Sequence, residues 1–188
     1  NPAGTAIALN VTHGIDAVFS LFDVKSGSLR NPIDVGGSLT AVAWSPAGTA
    51  IALGGTDGSL RLFDVASGTV GEPTSVGTDL VTSLAWSPVG IVIAIGDAVG
   101  NLQLFDVATQ RPLGEPIVTG DGFTTSLAWN AVGTTIFTVN IFGTSRLFDS
   151  WTETDACAYL QTVMSAQELA GLVGEVEGAQ SRCLQGVA

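Results

Sequence analysis

Short apolar runs recur along the chain, each bounded by glycine, proline, aspartate or serine. Ala6-Ile7-Ala8-Leu9, Ala50-Ile51-Ala52-Leu53, Val92-Ile93-Ala94-Ile95 and Thr135-Ile136-Phe137-Thr138 are versions of one run. Each follows a turn of the type Pro-x-Gly-Thr. The turn is intact as Pro2-Ala3-Gly4-Thr5 and Pro46-Ala47-Gly48-Thr49, and decayed as Pro88-Val89-Gly90-Ile91 and Ala131-Val132-Gly133-Thr134. Beyond a glycine-bearing turn comes a second run closing on Leu-Phe-Asp, at 21–23, 62–64, 104–106 and 147–149, spaced 41, 42 and 43 residues apart. A weaker third run lies near Thr69-Val70, Leu113 and Ile117-Val118. A fourth ends on Trp44, Trp86 and Trp129, spaced 42 and 43 apart. Runs of this length between turn residues predict strands, and strands at this density predict an all-β fold. Many runs are apolar at nearly every position instead of alternating, which predicts cover on both faces. A unit copied in tandem at this period cannot bury its own faces, so it must stack on its neighbours.

These residues resemble the WD40 (tryptophan–aspartate) repeat family of β-propellers. The likeness lies in Ser-Pro-x-Gly, the Gly-Ser/Thr-x-Asp-Gly turn and the closing Leu-Phe-Asp. Its cleanest copy is Gly54-Gly55-Thr56-Asp57-Gly58-Ser59-Leu60-Arg61-Leu62-Phe63-Asp64. The resemblance covers residues 1 to 150 and implies a propeller of four-stranded blades, with repeats near 1–44, 45–86, 87–129 and 130–150. The family's histidine before the tryptophan strand is missing. Gly36-Gly37, Gly77 and Gly120-Asp121 stand in that region, and the turn aspartate survives as Asp57 but becomes Val99 and Phe142. Asp16 is its counterpart in the first copy. The expectation is therefore that the family's buried polar network is absent and that apolar packing replaces it.

The strands amount to about three and a half blades, whereas propellers close with about 4–8. An open arc would leave bare edges and a bare apolar face. Asn1-Pro2 aligns with Ser45-Pro46 and Ser87-Pro88, inside a repeat. The expectation is that upstream chain supplies the missing blades; the alternative is that copies of the chain complete the ring together.

After Phe148-Asp149 the pattern changes. Ser150-Trp151-Thr152-Glu153 and Ser165-Ala166-Gln167-Glu168 read as capping boxes, and Leu169, Leu172 and Val173 follow at helical spacing. Short helices are expected over 152–163 and 166–174, in a tail spanning 151–188. Trp151, Ala156-Cys157, Leu160, Glu168 and Cys183 resemble the C-terminal segment of bacterial WD-repeat regions, including those of large signalling ATPases and kinases. Cys157 and Cys183 are the only cysteines. They are open to three readings: a disulfide, two reduced thiols, or a metal site short of ligands.

Composition then narrows the function. The net charge of −11 reflects scarce base, 6 Lys and Arg against 17 Asp and Glu. The six basic residues are scattered singly, so neither nucleic acid nor an anionic membrane is an expected partner. His13 is the only histidine, and strand alternation keeps it from forming a triad with Ser20 and Asp16. The glycine-rich turns lack the lysine and following helix of a phosphate cradle. Asp23, Asp64, Asp106 and Asp149 recur in step, and strand-end hydrogen bonding is a better reading than calcium. Arg61, Gln103 and Arg146 share one position, read as edge packing or a weak ring of contacts. No catalytic residue, cofactor or metal is expected. The chain reads as a non-catalytic protein-interaction scaffold, the C-terminal propeller part of a larger bacterial signalling or regulatory protein. Its partners would meet loops 55–58, 77–80, 97–100 and 119–122, with Asp57, Asp79, Asp97 and Asp121 facing them. The alternative is a self-assembling structural protein, and an enzyme with an axial pocket ranks last. The expected location is the cytoplasm, or outside the cell if the cysteines are bridged.

Overall fold

The computed structural model describes residues 1–13, 16–77, 79–120 and 122–149. Two units divide the chain, Asn1–Phe148 and Asp149–Ala188, and the sheets belong to the first, with β16 running one residue past it. The two expected helices, Trp151, Cys157 and Cys183 lie outside the described residues.

Four antiparallel sheets follow one another along the chain. The first holds β1 (Ala6–His13), β2 (Asp16–Asp23), β3 (Ser28–Leu29) and β4 (Ile33–Asp34). The second holds β5 (Leu39–Trp44), β6 (Ala50–Gly55), β7 (Ser59–Asp64), β8 (Thr69–Val70) and β9 (Thr74–Ser75). In both sheets the last two short strands pair with the same neighbour, β2 or β7, as halves of one interrupted strand. The third holds β10 (Val81–Trp86), β11 (Val92–Asp97), β12 (Asn101–Asp106) and β13 (Arg111–Val118). The fourth holds β14 (Thr124–Trp129), β15 (Thr135–Asn140) and β16 (Ser145–Asp149). Among the described residues every regular element is a strand, as the apolar runs predict.

The tryptophan strand opens each of the last three sheets and does not close the one before. A sequence repeat therefore straddles two sheets. This strand also stands against its counterparts in neighbouring sheets, as the contacts of β10 with β5 and β14 show.

Near-continuous apolarity has the expected cause. Successive side chains on a strand point to opposite faces, so one strand serves two cores. Ile51, Leu53 and Phe63 pack against Phe19 and Leu21 of the first sheet and Val35 just beyond it. Ala52 and Leu60 turn the other way, to Ile93, Ile95 and Phe105 of the third. Phe19 meets Phe63 edge to face, with ring centroids 5.2 Å apart. Burying such a side chain fully is worth about 1.5–3 kcal/mol, so each junction between sheets contributes to stability.

Polar bonds also cross these junctions. The Trp86 indole Nε1 donates to Ala43 O at 2.9 Å, and Trp129 Nε1 donates to Ala85 O at 3.0 Å. Trp86 and Trp129 are thus half-buried staples, from β10 to β5 and from β14 to β10. Thr82 Oγ1 and Ser83 Oγ both donate to Thr124 O, at 2.6 and 3.0 Å. Gly96 permits this approach, since a Cβ there would stand 2.7 Å from Thr124 Cγ2.

Candidate interaction face

The loops named from the sequence form a continuous band. Thr56 N donates to Ser38 O, Val76 N to Gly58 O, Ala98 N to Leu80 O, Thr119 N to Gly100 O and Ile141 N to Phe123 O. Each bond ties a turn to the loop that leads into its sheet's first strand or leaves its last one. Asp57, Asp79 and Asp97 all lie in this band, whereas Asp121 falls outside the described residues.

The turns are braced by a side chain whose position changes between repeats. In the second sheet Asp57 Oδ1 accepts from Ser59 N at 3.1 Å and Ser59 Oγ at 2.6 Å. These bonds, led by the Ser59 hydroxyl and helped by the Arg61 charge, hold the Asp57 carboxyl below the usual carboxylate range. In the third sheet the brace moves two residues upstream. Asp97 Oδ1 accepts from Val99 N and Asn101 N, and its Oδ2 accepts from Asn101 Nδ2. In the fourth sheet Asn140 Oδ1 takes the same role for Phe142 N and Thr144 N. Replacing the turn aspartate by Val99 and Phe142 therefore did not abolish the bracing.

Nor is polar burial absent. Arg61 is only 7 % exposed. Its Nη1 donates to Ser59 Oγ, and its Nη2 lies 3.5 Å from both Gly36 O and Asp57 Oδ2. An Asp57–Ser59–Arg61 chain stands here instead of the family's histidine network, buried at Ser59 and Arg61 and open at Asp57, because a buried guanidinium must be paired.

The third member of that series behaves differently. Gln103 is 5 % exposed, and its Nε2 donates to the carbonyls of Leu104, Leu113 and Gly114. Beside it, between the second and third sheets, opens a cavity of about 120 Å³ lined by Val76, Gly77, Asp79, Asp97, Asn101 and Gln103 among others. The Arg/Gln/Arg alternation at 61, 103 and 146 was the available sequence signal. The cavity itself depends on sheet stacking.

The remaining candidates settle into structural roles. Asp23 and Asp64 accept from the backbone and hydroxyl of Ser26 and Ser67, and Asp106 accepts from Thr109 N. The backbone bonds from Ser26 and Ser67 lead in lowering the Asp23 and Asp64 carboxyls. Ser20 is buried and donates to Arg30 O at 2.8 Å. His13 ends β1 opposite Asp16 in register.

Residues 15–83 match the family model described as the anaphase-promoting complex subunit 4 WD40 domain. A chain of the solved structure titled "Crystal Structure of Mitotic Checkpoint Complex" superposes with a TM-score of 0.67 at 20 % identity, over 77 % of this chain and 43 % of that one. The chain thus spans less than half the length of that matched chain. No curated protein matches it in sequence. Matches to solved chains number 1308, so the fold is too widespread to point to any one partner.

Proposed function

Because the chain is built of WD40 repeats folded as antiparallel propeller sheets, we propose that it is a non-catalytic protein-interaction scaffold whose partner meets the loop band around residues 55–58, 77–80 and 97–100. The observation that carries this reading is the band itself. Each turn is tied by backbone bonds to the connecting loops beside it, and the band so formed carries Asp57, Asp79 and Asp97. A rigid array of loops on stacked strands is the arrangement that recognition favours. The family-model match supports the class, and the matched structure, by its title, is a multiprotein complex.

In this reading the chain is the C-terminal propeller part of a larger bacterial signalling or regulatory protein in the cytoplasm. Its basis is the resemblance of the tail together with the bare end faces of the sheet stack. Photocrosslinking tests the scaffold. A crosslinking residue at position 99 should trap one defined partner, and one at position 66, on the turn between β7 and β8, should trap none. Equal trapping at both positions, or none at either, would refute it.

The end faces also support the rival reading, in which copies complete the propeller. Ile7 on the first sheet is exposed, as are Phe137 and Leu147 on the fourth. Sedimentation velocity separates the two: self-assembly demands closed oligomers that grow with concentration.

A further inference from the structure

Three positions change together between the clefts that separate neighbouring sheets. In register, Arg61, Gln103 and Arg146 occupy one position, each four residues beyond Asp57, Val99 and Phe142. Strand pairing aligns Gly55 with Asp97 and Asn140, through Leu39↔Gly55, Val81↔Asp97 and Thr124↔Asn140. Gly37, Asp79 and Gly122 each lie two residues before those inner-strand positions. Between the first and second sheets the set is therefore Arg, Gly, Gly. Between the third and fourth it is Arg, Asn, Gly. Between the second and third it is Gln, Asp, Asp.

The contacts show why these exchanges belong together. A Cβ on Gly37 would stand 3.8 Å from Arg61 Nη2, and one on Gly120 would stand 3.8 Å from Arg146 Nη2. In the first of those clefts the buried Arg61 guanidinium thus lies against the exchanged Gly37, and in the other the exposed Arg146 lies against Gly120, the counterpart of Gly77. Where Gln103 replaces arginine, the shorter side chain turns to the carbonyls of its own sheet. The volume stays open, and both flanking positions carry carboxylates. Gln103 is 95 % buried, and its amide oxygen accepts no hydrogen bond among the described residues. Asp97 is held in place by three hydrogen bonds from Val99 and Asn101.

We propose that the cleft between the second and third sheets receives the side chain of an arginine from a protein partner, its guanidinium taking the place that Arg61 fills in the adjoining cleft and pairing with Asp79, Asp97 and the Gln103 amide oxygen. A cavity of about 120 Å³ accommodates the planar head and the last methylenes of such a side chain. Arginine fits better than lysine, because its fork of five donors serves several acceptors at once. The chain's net charge of −11 draws a cationic segment to the site. The proposal rests on the scaffold reading and specifies the chemistry of its partner.

The test uses the full 188-residue chain and the blocked tripeptide Gly-Arg-Gly, followed by amide chemical shifts. Saturable shifts are expected at Gly77 and at 97–103, with the citrulline tripeptide and free arginine at least about tenfold weaker. The double variant Asp79→Asn, Asp97→Asn should weaken binding tenfold or more while keeping its fold, since Asn140 braces the same turn in the fourth sheet. Gln103→Arg should refill the cleft and abolish binding with the remaining spectrum intact. The proposal is overturned by equal binding of the citrulline peptide, by equal binding of free arginine, by the same shifts with calcium or magnesium alone, or by undiminished binding to Gln103→Arg. Absence of any response also overturns it. Partner trapping at position 99 that survives in Gln103→Arg would sink the cleft and leave the scaffold standing. Loss of trapping in the unaltered chain would sink the scaffold whatever the peptide does.

Discussion

The third and fourth sheets carry nearly the same words in very different surroundings. Leu104 and Leu147 stand at the same place in Leu-Phe-Asp, yet Leu104 is 8 % exposed and Leu147 70 %. On β11 the residues from Val92 to Gly96 are all buried, whereas β15 alternates between buried and open positions. The difference is a neighbour. The third sheet has one on each face, and the described part of the fourth has one only. Burial in this fold is conferred by the adjoining copy, and the strand sequence only makes it possible. The fourth sheet departs in one further respect. Where Ala8, Ala52 and Ala94 face the next sheet, it carries Phe137. A phenyl ring at an alanine site would overfill a junction of the internal kind.

The comparison breaks most sharply in the core. Ile93→Ala should cost about 2–5 kcal/mol in urea unfolding, because Ile93 is fully buried between two sheets. Leu147→Ala should stay within about 0.5 kcal/mol; a cost near that of Ile93→Ala would mean that the fourth sheet's open face is covered in solution. Next in size is one turn position read in two sheets. Gly100 has a φ of 89° and a Cβ there would collide with Gly120 O, whereas Gly143 has a φ of 76° and nothing within 4 Å. Strain at positive φ alone is of order 1–3 kcal/mol. Both alanine variants should pay that strain, and Gly100→Ala should exceed Gly143→Ala in the same unfolding assay. Trp86→Phe and Trp129→Phe remove one indole bond each and should each cost about 1 kcal/mol. Equal costs would show that both junctions are stapled alike.

The smallest effect is electrostatic. The bonds from Ser67 hold the Asp64 carboxyl below the usual carboxylate range, so the unfolded chain binds the proton more readily than the folded one. Its contribution is complete above the unfolded pKa near 3.8 and disappears as pH falls through the lower folded value. Asp64→Ala should therefore lower the urea midpoint at pH 6 and flatten its decline below pH 4. An unchanged decline would remove Asp64 from the acid response.

The periodic parts of the fold were legible because they repeat. Leu-Phe-Asp, the tryptophans and the Pro-x-Gly turns located the strands. Three features were not visible in that way. Membership of the tryptophan strand depends on pairing, and the linear repeat does not reveal that it opens the next sheet. The brace at Asp97 and Asn140 does not show in the sequence column of Asp57, because the same bond is made from two residues upstream. The set Asp79, Asp97 and Gln103 was named piecemeal: loop residues on one hand, an edge series on the other. Only stacking brings them to one cleft. Aligning the glycine columns at 37 and 55 beside the arginine column would have exposed their joint exchange.

One consequence follows from the offset between repeat and sheet. Each of the first three repeats, about 42 residues long, begins within one sheet and ends by founding another. Duplication or deletion of a whole unit therefore leaves no strand orphaned. The number of sheets can drift over evolution by recombination at any equivalent point, and each newcomer arrives already laced to those before and after it.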